Sequence, residues 1–241
     1  WLFLVLNLYC MVQKLVQIKM IYSIILIYYT IYSKQWIIYN GGDVTPMSQT
    51  KDNSGKKTIE LLDLSVKVGA LKFGEFTLAS GAKSSYYFDG RRLSLNPQGA
   101  HLLGDIFLDI LVPLGVQSIG GPTVGADPIV ASVALISHQR GTPVSGFIVR
   151  SQQKKYGTQQ NVEGPLTPDS TVAIVDDVCT TGGSIFRAID AAEALGCKVA
   201  VVLAVLDRAQ GGAETLRAKG YKFQPLLVAD STGTIVPATD I

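Results

Sequence analysis

From residue 59 onward, apolar positions come in short bursts whose internal spacing switches between helical and extended. Over residues 59–68, Leu61, Leu62, Leu64, Val66 and Val68 form a roughly amphipathic helical pattern that Gly69 closes. FTL (76–78) and YYF (86–88) then read as short strands around a Ser-Gly turn. A helix starts at Asn96-Pro97, turns Ala100, Leu103, Ile106, Phe107 and Ile110 inward, and ends near Pro113. Next come an apolar run at 116–119, the Gly/Pro loop GGPTVGADP, a helix over 129–137 and a strand over 144–149. After a polar segment at 150–170 the spacing predicts a strand over 171–175 and a helix over 184–195, stopped by Gly196. A strand over 198–206, a short helix over 214–219 and a last strand over 223–228 complete the pattern. Strand, loop and helix in this alternation predict an α/β fold, a mostly parallel sheet flanked by helices. In such sheets ligands bind at the C-terminal strand ends.

The stretch before this pattern differs in kind. Residues 1–42 hold three lysines (Lys14, Lys19, Lys34), no acid, and a preponderance of Ile, Tyr, Leu and Val. The uncharged run at 20–33 is 14 residues long, short of the ~20 that span a bilayer, although Lys19 and Lys34 could extend it by snorkelling. A membrane association therefore depends wholly on residues 1–42 being genuine. The polar stretch MSQTKDNSGKKT, opening at Met47, makes a natural beginning, so residues 1–46 are expected to lie outside the fold, as translated upstream sequence or, second, an anchor. Residues 47–57 are expected as a disordered lead-in, and 58–241 as the functional domain.

Charge and cysteine usage narrow the class. The net charge of +2 over 241 residues gives no basic face for nucleic acid. Cys10, Cys179 and Cys197 form neither a metal-ligand spacing nor a paired framework, which points to a reducing compartment such as the cytoplasm.

The chemistry concentrates in VAIVDDVCTTGGSI, residues 172–185. Two adjacent carboxylates end a buried strand, although like charges repel and desolvation of either is costly. The loop that follows offers hydroxyls from Thr180, Thr181 and Ser184, close backbone approach at Gly182 and Gly183, and a helix N-terminus suited to phosphate. No lysine occupies it, so a nucleoside-triphosphate P-loop is excluded. A plain strand-to-helix turn capped by Asp and Thr is the competing reading, and two acids directly after VAIV make it the weaker one.

VAIVDDVCTTGGSI resembles the signature of type I phosphoribosyltransferases, which bind 5-phosphoribosyl-1-diphosphate (PRPP). FTLASGAKSSYYFDGRR, GGPTVGADP, GFIVRSQQKKYGTQQNVEG and VLDR, in that order over residues 58–230, are similar to orotate phosphoribosyltransferases. The resemblance implies the type I fold with a small N-terminal hood. It implies transfer of the phosphoribosyl group from PRPP to orotate, giving orotidine 5′-monophosphate and diphosphate in pyrimidine biosynthesis. It also implies Mg²⁺ carried by PRPP without a firm protein ligand, and a cytoplasmic homodimer with shared active sites.

On the matching positions, Asp176 and Asp177 would hold the ribose hydroxyls, and Val178, Cys179, Thr180, Thr181, Gly182, Gly183 and Ser184 would serve PRPP. Arg150 and Lys154, on a mobile loop, would meet the diphosphate, with Lys155 beside them and Asp127 in the GGPTVGADP loop. Thr180, Arg208, Tyr87 and Phe88 would contact orotate. Val124 and Gly125 stand where some relatives carry Tyr-Lys, and Ala79, Ser151 and Tyr156 stand where basic residues are common, so positive charge around the diphosphate is thinned. A phosphoribosyltransferase for another base and a non-catalytic PRPP-binding regulator are the competing functions; the FTLASG to DGRR segment and the lid residues speak against them.

Overall fold

Val172, Ala173, Ile174 and Val175 are wholly buried, because the strand they form is covered on both faces. The computed structural model describes residues 50–77, 81, 83–151 and 161–238. Its strands are β1 (Leu71–Thr77), β2 (Lys83–Phe88), β3 (Ser118–Pro122), β4 (Ser145–Val149), β5 (Val162–Glu163), β6 (Thr171–Cys179), β7 (Lys198–Asp207), β8 (Phe223–Ala229) and β9 (Ile235–Pro237). The helices are α1 (Thr50–Lys67), α2 (Gly90–Ser94), α3 (Pro97–Leu111), α4 (Asp127–Gln139), α5 (Gly183–Glu193) and α6 (Gly212–Ala218). The main sheet runs β5-β4-β3-β6-β7-β8-β9. Its five inner strands are parallel, and short antiparallel strands close both edges. β1 and β2 form a separate antiparallel hairpin.

Alternation along β6 sorts its side chains between two cores. Ala173 and Val175 join Val201, Leu203 and Val205 of β7 under α3 and α4, where Leu103, Phe107, Ile129 and Val133 are buried. Val172 and Ile174 join Val202 and Ala204 under α5 and α6, against Ile185, Ile189 and Leu216. Each buried branched side chain contributes roughly 1.5–3 kcal/mol. With both faces covered, β6 is buried along its middle and opens again at Asp177 and Val178 near its C-terminal end.

The expected elements are present with shifted edges. Asn96 caps α3, its side chain accepting from the amides of Gln98 and Gly99, with Pro97 in the first turn. α1 begins at Thr50, so residues 50–57, expected as a disordered lead-in, form its first turns instead. Lys57 explains part of this: it pairs with Asp105 and Asp109 of α3, and Arg140 pairs with the same two acids. Tertiary ion pairs across three segments override a composition that by itself reads as disorder. β5, β9 and α2 have no counterpart in the sequence pattern because each is five residues or fewer, too short for a period to show. Residues 1–46 lie outside the described residues.

Candidate active site at the end of the central strand

Asp176 and Asp177 lie inside β6, which continues to Cys179, rather than after a strand ending at 175. Asp176 is only 6% exposed. Its Oδ1 accepts from the Asp177 amide at 2.9 Å and its Oδ2 from the Ser184 hydroxyl at 2.8 Å. Asp177 is held differently, between the start of α2 and the loop after β3. A Cβ on Gly90 would stand 2.6 Å from the Asp177 Cβ, and one on Gly125 would collide with its carboxylate. Glycine is required at both positions for Asp177 to fit. Burial, reinforced by the charge of Asp177, pushes the Asp176 carboxyl up to about 7. Burial also raises Asp177, with the Arg91 guanidinium opposing the rise. Such a buried pair is short of compensating positive charge.

The loop beyond the acids turns through Gly182 at φ +81°, a left-handed conformation that favours glycine, and Gly182 caps α5. α5 thereby opens with free amides facing the same end of the sheet as the acids. The Thr180 carbonyl accepts from the Gly212 amide at 2.9 Å, which ties the loop to α6. Cys179 is the last residue of β6 and fully buried, with its thiol pushed up to about 12 by burial and the neighbouring acids. Its side chain is therefore a filler behind the loop. Val178 packs its side chain on the core under α3 and α4.

Arg208 follows β7 and donates its amide to the Cys179 carbonyl at 2.9 Å, which sets it beside Thr180. The turn is fixed by Asp207, whose Oδ1 accepts from the Ala209 amide at 3.0 Å while Ala209 adopts φ +51°. A left-handed non-glycine residue costs on the order of 1 kcal/mol and marks a place the surrounding structure over-determines. The guanidinium sits over the Tyr86 ring, 5.2 Å from its centroid. The Arg208 Nε is buried and has no acceptor among the described residues.

β2 presents Tyr86 and Phe88 inward, at 6% and 5% exposure, whereas Tyr87 is 39% exposed. Tyr87 points to the other face, its ring 5.7 Å from Phe76. Adjacent strand residues face opposite ways, so Phe88 and Tyr87 differ in burial, and the aromatic under the Arg208 guanidinium is Tyr86. The alternation of YYF, with Tyr86 two residues before Phe88, carried that signal.

On the remaining side, a cleft of about 250 Å³ is lined by Phe88, Asp89, Arg91, Val124, Gly125 and Asp177. Thr123 donates its hydroxyl to Asp127 Oδ2 at 2.6 Å, so Asp127 shapes the loop from behind. Arg150 follows β4 with Nη1 3.5 Å from Glu163 Oε1. Lys154, Lys155, Tyr156 and Ala79 lie outside the described residues.

This arrangement matches known proteins closely. Residues 114–223 match the family model of the phosphoribosyl transferase domain. The chain is 42% identical over 183 residues to the orotate phosphoribosyltransferase of Rhodopirellula baltica, covering 73% of this chain and 94% of that one. The chain belongs to the orotate phosphoribosyltransferase family. The Nostoc orotate phosphoribosyltransferase is 42% identical over 166 residues, 68% of this chain and 80% of its own. Among solved structures, the Mycobacterium tuberculosis orotate phosphoribosyltransferase with Fe(III) dicitrate has a TM-score of 0.64 at 32% identity, covering 71% of this chain and 96% of that one. The same enzyme in complex with PRPP gives a TM-score of 0.60 at 31% identity, with the same coverage.

As an orotate phosphoribosyltransferase, the chain has the type I phosphoribosyltransferase fold that its signature implies. Of the residues expected to act, the fold brings together Asp176, Asp177, Thr180, Thr181, Gly182, Gly183, Ser184, Phe88 and Arg208 around one end of the sheet, while the side chains of Val178 and Cys179 pack into the cores. Among the described residues, no group of three or more His, Cys, Asp or Glu side chains could hold a metal ion, and no helix is long and apolar enough to cross a membrane.

Proposed function

We infer that this orotate phosphoribosyltransferase joins orotate to PRPP at the C-terminal end of β6, acting in the cytoplasm as a homodimer, with residues 58–241 as the catalytic domain. The observation that carries the assignment of the base is the unpartnered Arg208 Nε, buried beside Thr180 and Tyr86. A buried guanidinium donor without an acceptor suits a planar carboxylate, which it can bind through two parallel hydrogen bonds. Orotate carries such a carboxylate, and the purine and other pyrimidine bases do not.

Asp176 and Asp177 accept from the two ribose hydroxyls, which are donors and relieve the repulsion between the acids. The amides of residues 181–184 at the start of α5 receive the 5′-phosphate. The C1′–O bond to diphosphate breaks, its electron pair leaving on oxygen, while a ring nitrogen of orotate forms the new C–N bond. Positive charge develops on the sugar ring and negative charge on the leaving group. Arg150 stabilises that negative charge, joined by Lys154 on the polar segment after β4. Mg²⁺ carried on PRPP would supply charge neutralisation at the diphosphate, and the raised proton affinity of Asp176 and Asp177 suits acids that face a nearby cation.

The direct test is the fall in orotate absorbance when PRPP and Mg²⁺ are added, run beside a panel of purine bases. Turnover of orotate alone is expected; turnover of a purine, or diphosphate release with no base, would overturn the assignment. For shared sites, an inactive Lys154→Ala protein mixed with inactive Asp176→Asn protein is expected to recover activity in hybrid dimers. No recovery after subunit exchange would place Lys154 in its own subunit's site.

A further inference from the structure

The family resemblance leaves the diphosphate side of this site with thinned positive charge, since Gly125 stands where some relatives carry the lysine of a Tyr-Lys pair, and Ala79 and Ser151 stand where basic residues are common. The structure puts an arginine from a different segment there. Arg91, in the first turn of α2, lines the same cleft as Asp177, Val124 and Gly125. Its Nε donates to Asp89 Oδ1 at 2.9 Å, and the same oxygen accepts the Arg91 amide at 3.2 Å. Asp89 thus anchors one edge of the guanidinium and leaves the other free. The two Nη groups have no partner among the described residues, and the side chain is 53% exposed toward the cleft and solvent.

We propose that Arg91 binds the diphosphate of PRPP through its Nη groups, supplying the cation that the Val124–Gly125 loop lacks. The proposal rests on the orotate phosphoribosyltransferase reading and names a residue beyond it. Three features favour diphosphate over the other parts of the substrate. Asp177 holds the ribose hydroxyls on one side of Arg91, and the loop at 123–125 bounds the other, so the group between them is the one at C1′. The 5′-phosphate is received elsewhere, at the start of α5. The cleft already contains two carboxylates, Asp89 and Asp177, and an anion enters it only with a compensating cation; Arg91 is the cationic side chain lining that cleft. The attraction between Arg91 and Asp177 partly offsets the rise that burial gives the Asp177 carboxyl. A planar guanidinium held at Nε presents its Nη donors as a fork, a geometry matched to phosphate oxygens.

The test is calorimetric titration of wild type, Arg91→Ala and Arg91→Lys with inorganic diphosphate plus Mg²⁺, and separately with orotidine 5′-monophosphate. In Arg91→Ala, diphosphate affinity is expected to fall about 10- to 100-fold, the worth of a charge-assisted hydrogen bond. Orotidine 5′-monophosphate affinity is expected to change less than about threefold, and Arg91→Lys to recover part of the diphosphate loss. Equal weakening of both ligands would mean that Arg91 acts only through Asp177 and would overturn the proposal. So would unchanged diphosphate binding. If wild type bound no orotidine 5′-monophosphate, the functional reading itself would fail, a result distinct from either.

Discussion

Replacing Arg208 with alanine is expected to lower kcat/KM for orotate by about 10²- to 10³-fold, the loss that follows when one partner of a buried charged pair is removed. The effect is large because the Nε is already desolvated and without an acceptor: its dehydration cost is present in the free enzyme, so the ligand carboxylate gains the full interaction. Arg208 is also held in place before any ligand arrives. Its amide is fixed to Cys179, the Asp207–Ala209 turn is closed by a 3.0 Å hydrogen bond, and its guanidinium rests on Tyr86. Little conformational entropy remains to be lost on binding. Lysine should not rescue the activity, because a point charge cannot reproduce the fork. Steady-state kinetics with each substrate varied would separate the effects, with KM for PRPP expected to stay within about threefold. A loss of less than tenfold in kcat/KM for orotate would remove Arg208 from the base site.

Asp176→Asn is expected to do two opposite things: abolish measurable use of PRPP and raise the melting temperature above neutral pH. In the folded chain Asp176 holds its proton to about pH 7, against about 4 when unfolded. The stability this group supplies is therefore complete below about pH 4, falls as pH rises, and is lost above about 7. Asparagine cannot ionise, so the variant should lack that decline, a difference on the order of a few kcal/mol for a carboxyl this buried. Scanning calorimetry at pH 5 and pH 8 reads it: the variant's advantage should appear at pH 8 and shrink at pH 5. Substrate works with the opposite sign, since ribose hydroxyls and Mg²⁺ favour the ionised acid. Wild-type KM for PRPP should accordingly fall as pH rises through 7. A variant that melts no higher than wild type at pH 8 would show that Asp176 carries no stored electrostatic cost.

The two expectations mark how unevenly the site could be read from the chain. The acids, the TTGGS loop and the helix after it are contiguous, and their order alone announces a phosphate beside a polyhydroxyl. The parallel sheet was legible for the same reason: runs such as VAIV and LAVL, bounded by Gly and Pro, carry the strand signal in a few consecutive residues. Arg208 was legible through the family likeness of VLDR. Tyr87 and Phe88 came from the family likeness, and Tyr86 beneath Arg208 was readable in principle from the period-two alternation of β2. The ordering of residues 50–57 was not legible, because it depends on Asp105, Asp109 and Arg140.

By itself, then, the sequence determined the strand and helix order, the phosphate loop and the family, since each is written in neighbouring residues whose spacing matches a local backbone period. The tertiary structure alone decided that Asp177 sits between Gly90 and Gly125, that Arg208 rests on Tyr86, that Cys179 is sealed behind the loop, and that Arg91 shares a cleft with the diphosphate loop. These contacts join the β2–α2 segment to β3, β6 and β7, which lie dozens of residues further along the chain. No local period links positions so distant; they meet because the parallel strands bring their C-terminal ends to one end of the sheet and the β2 hairpin and α2 are packed there.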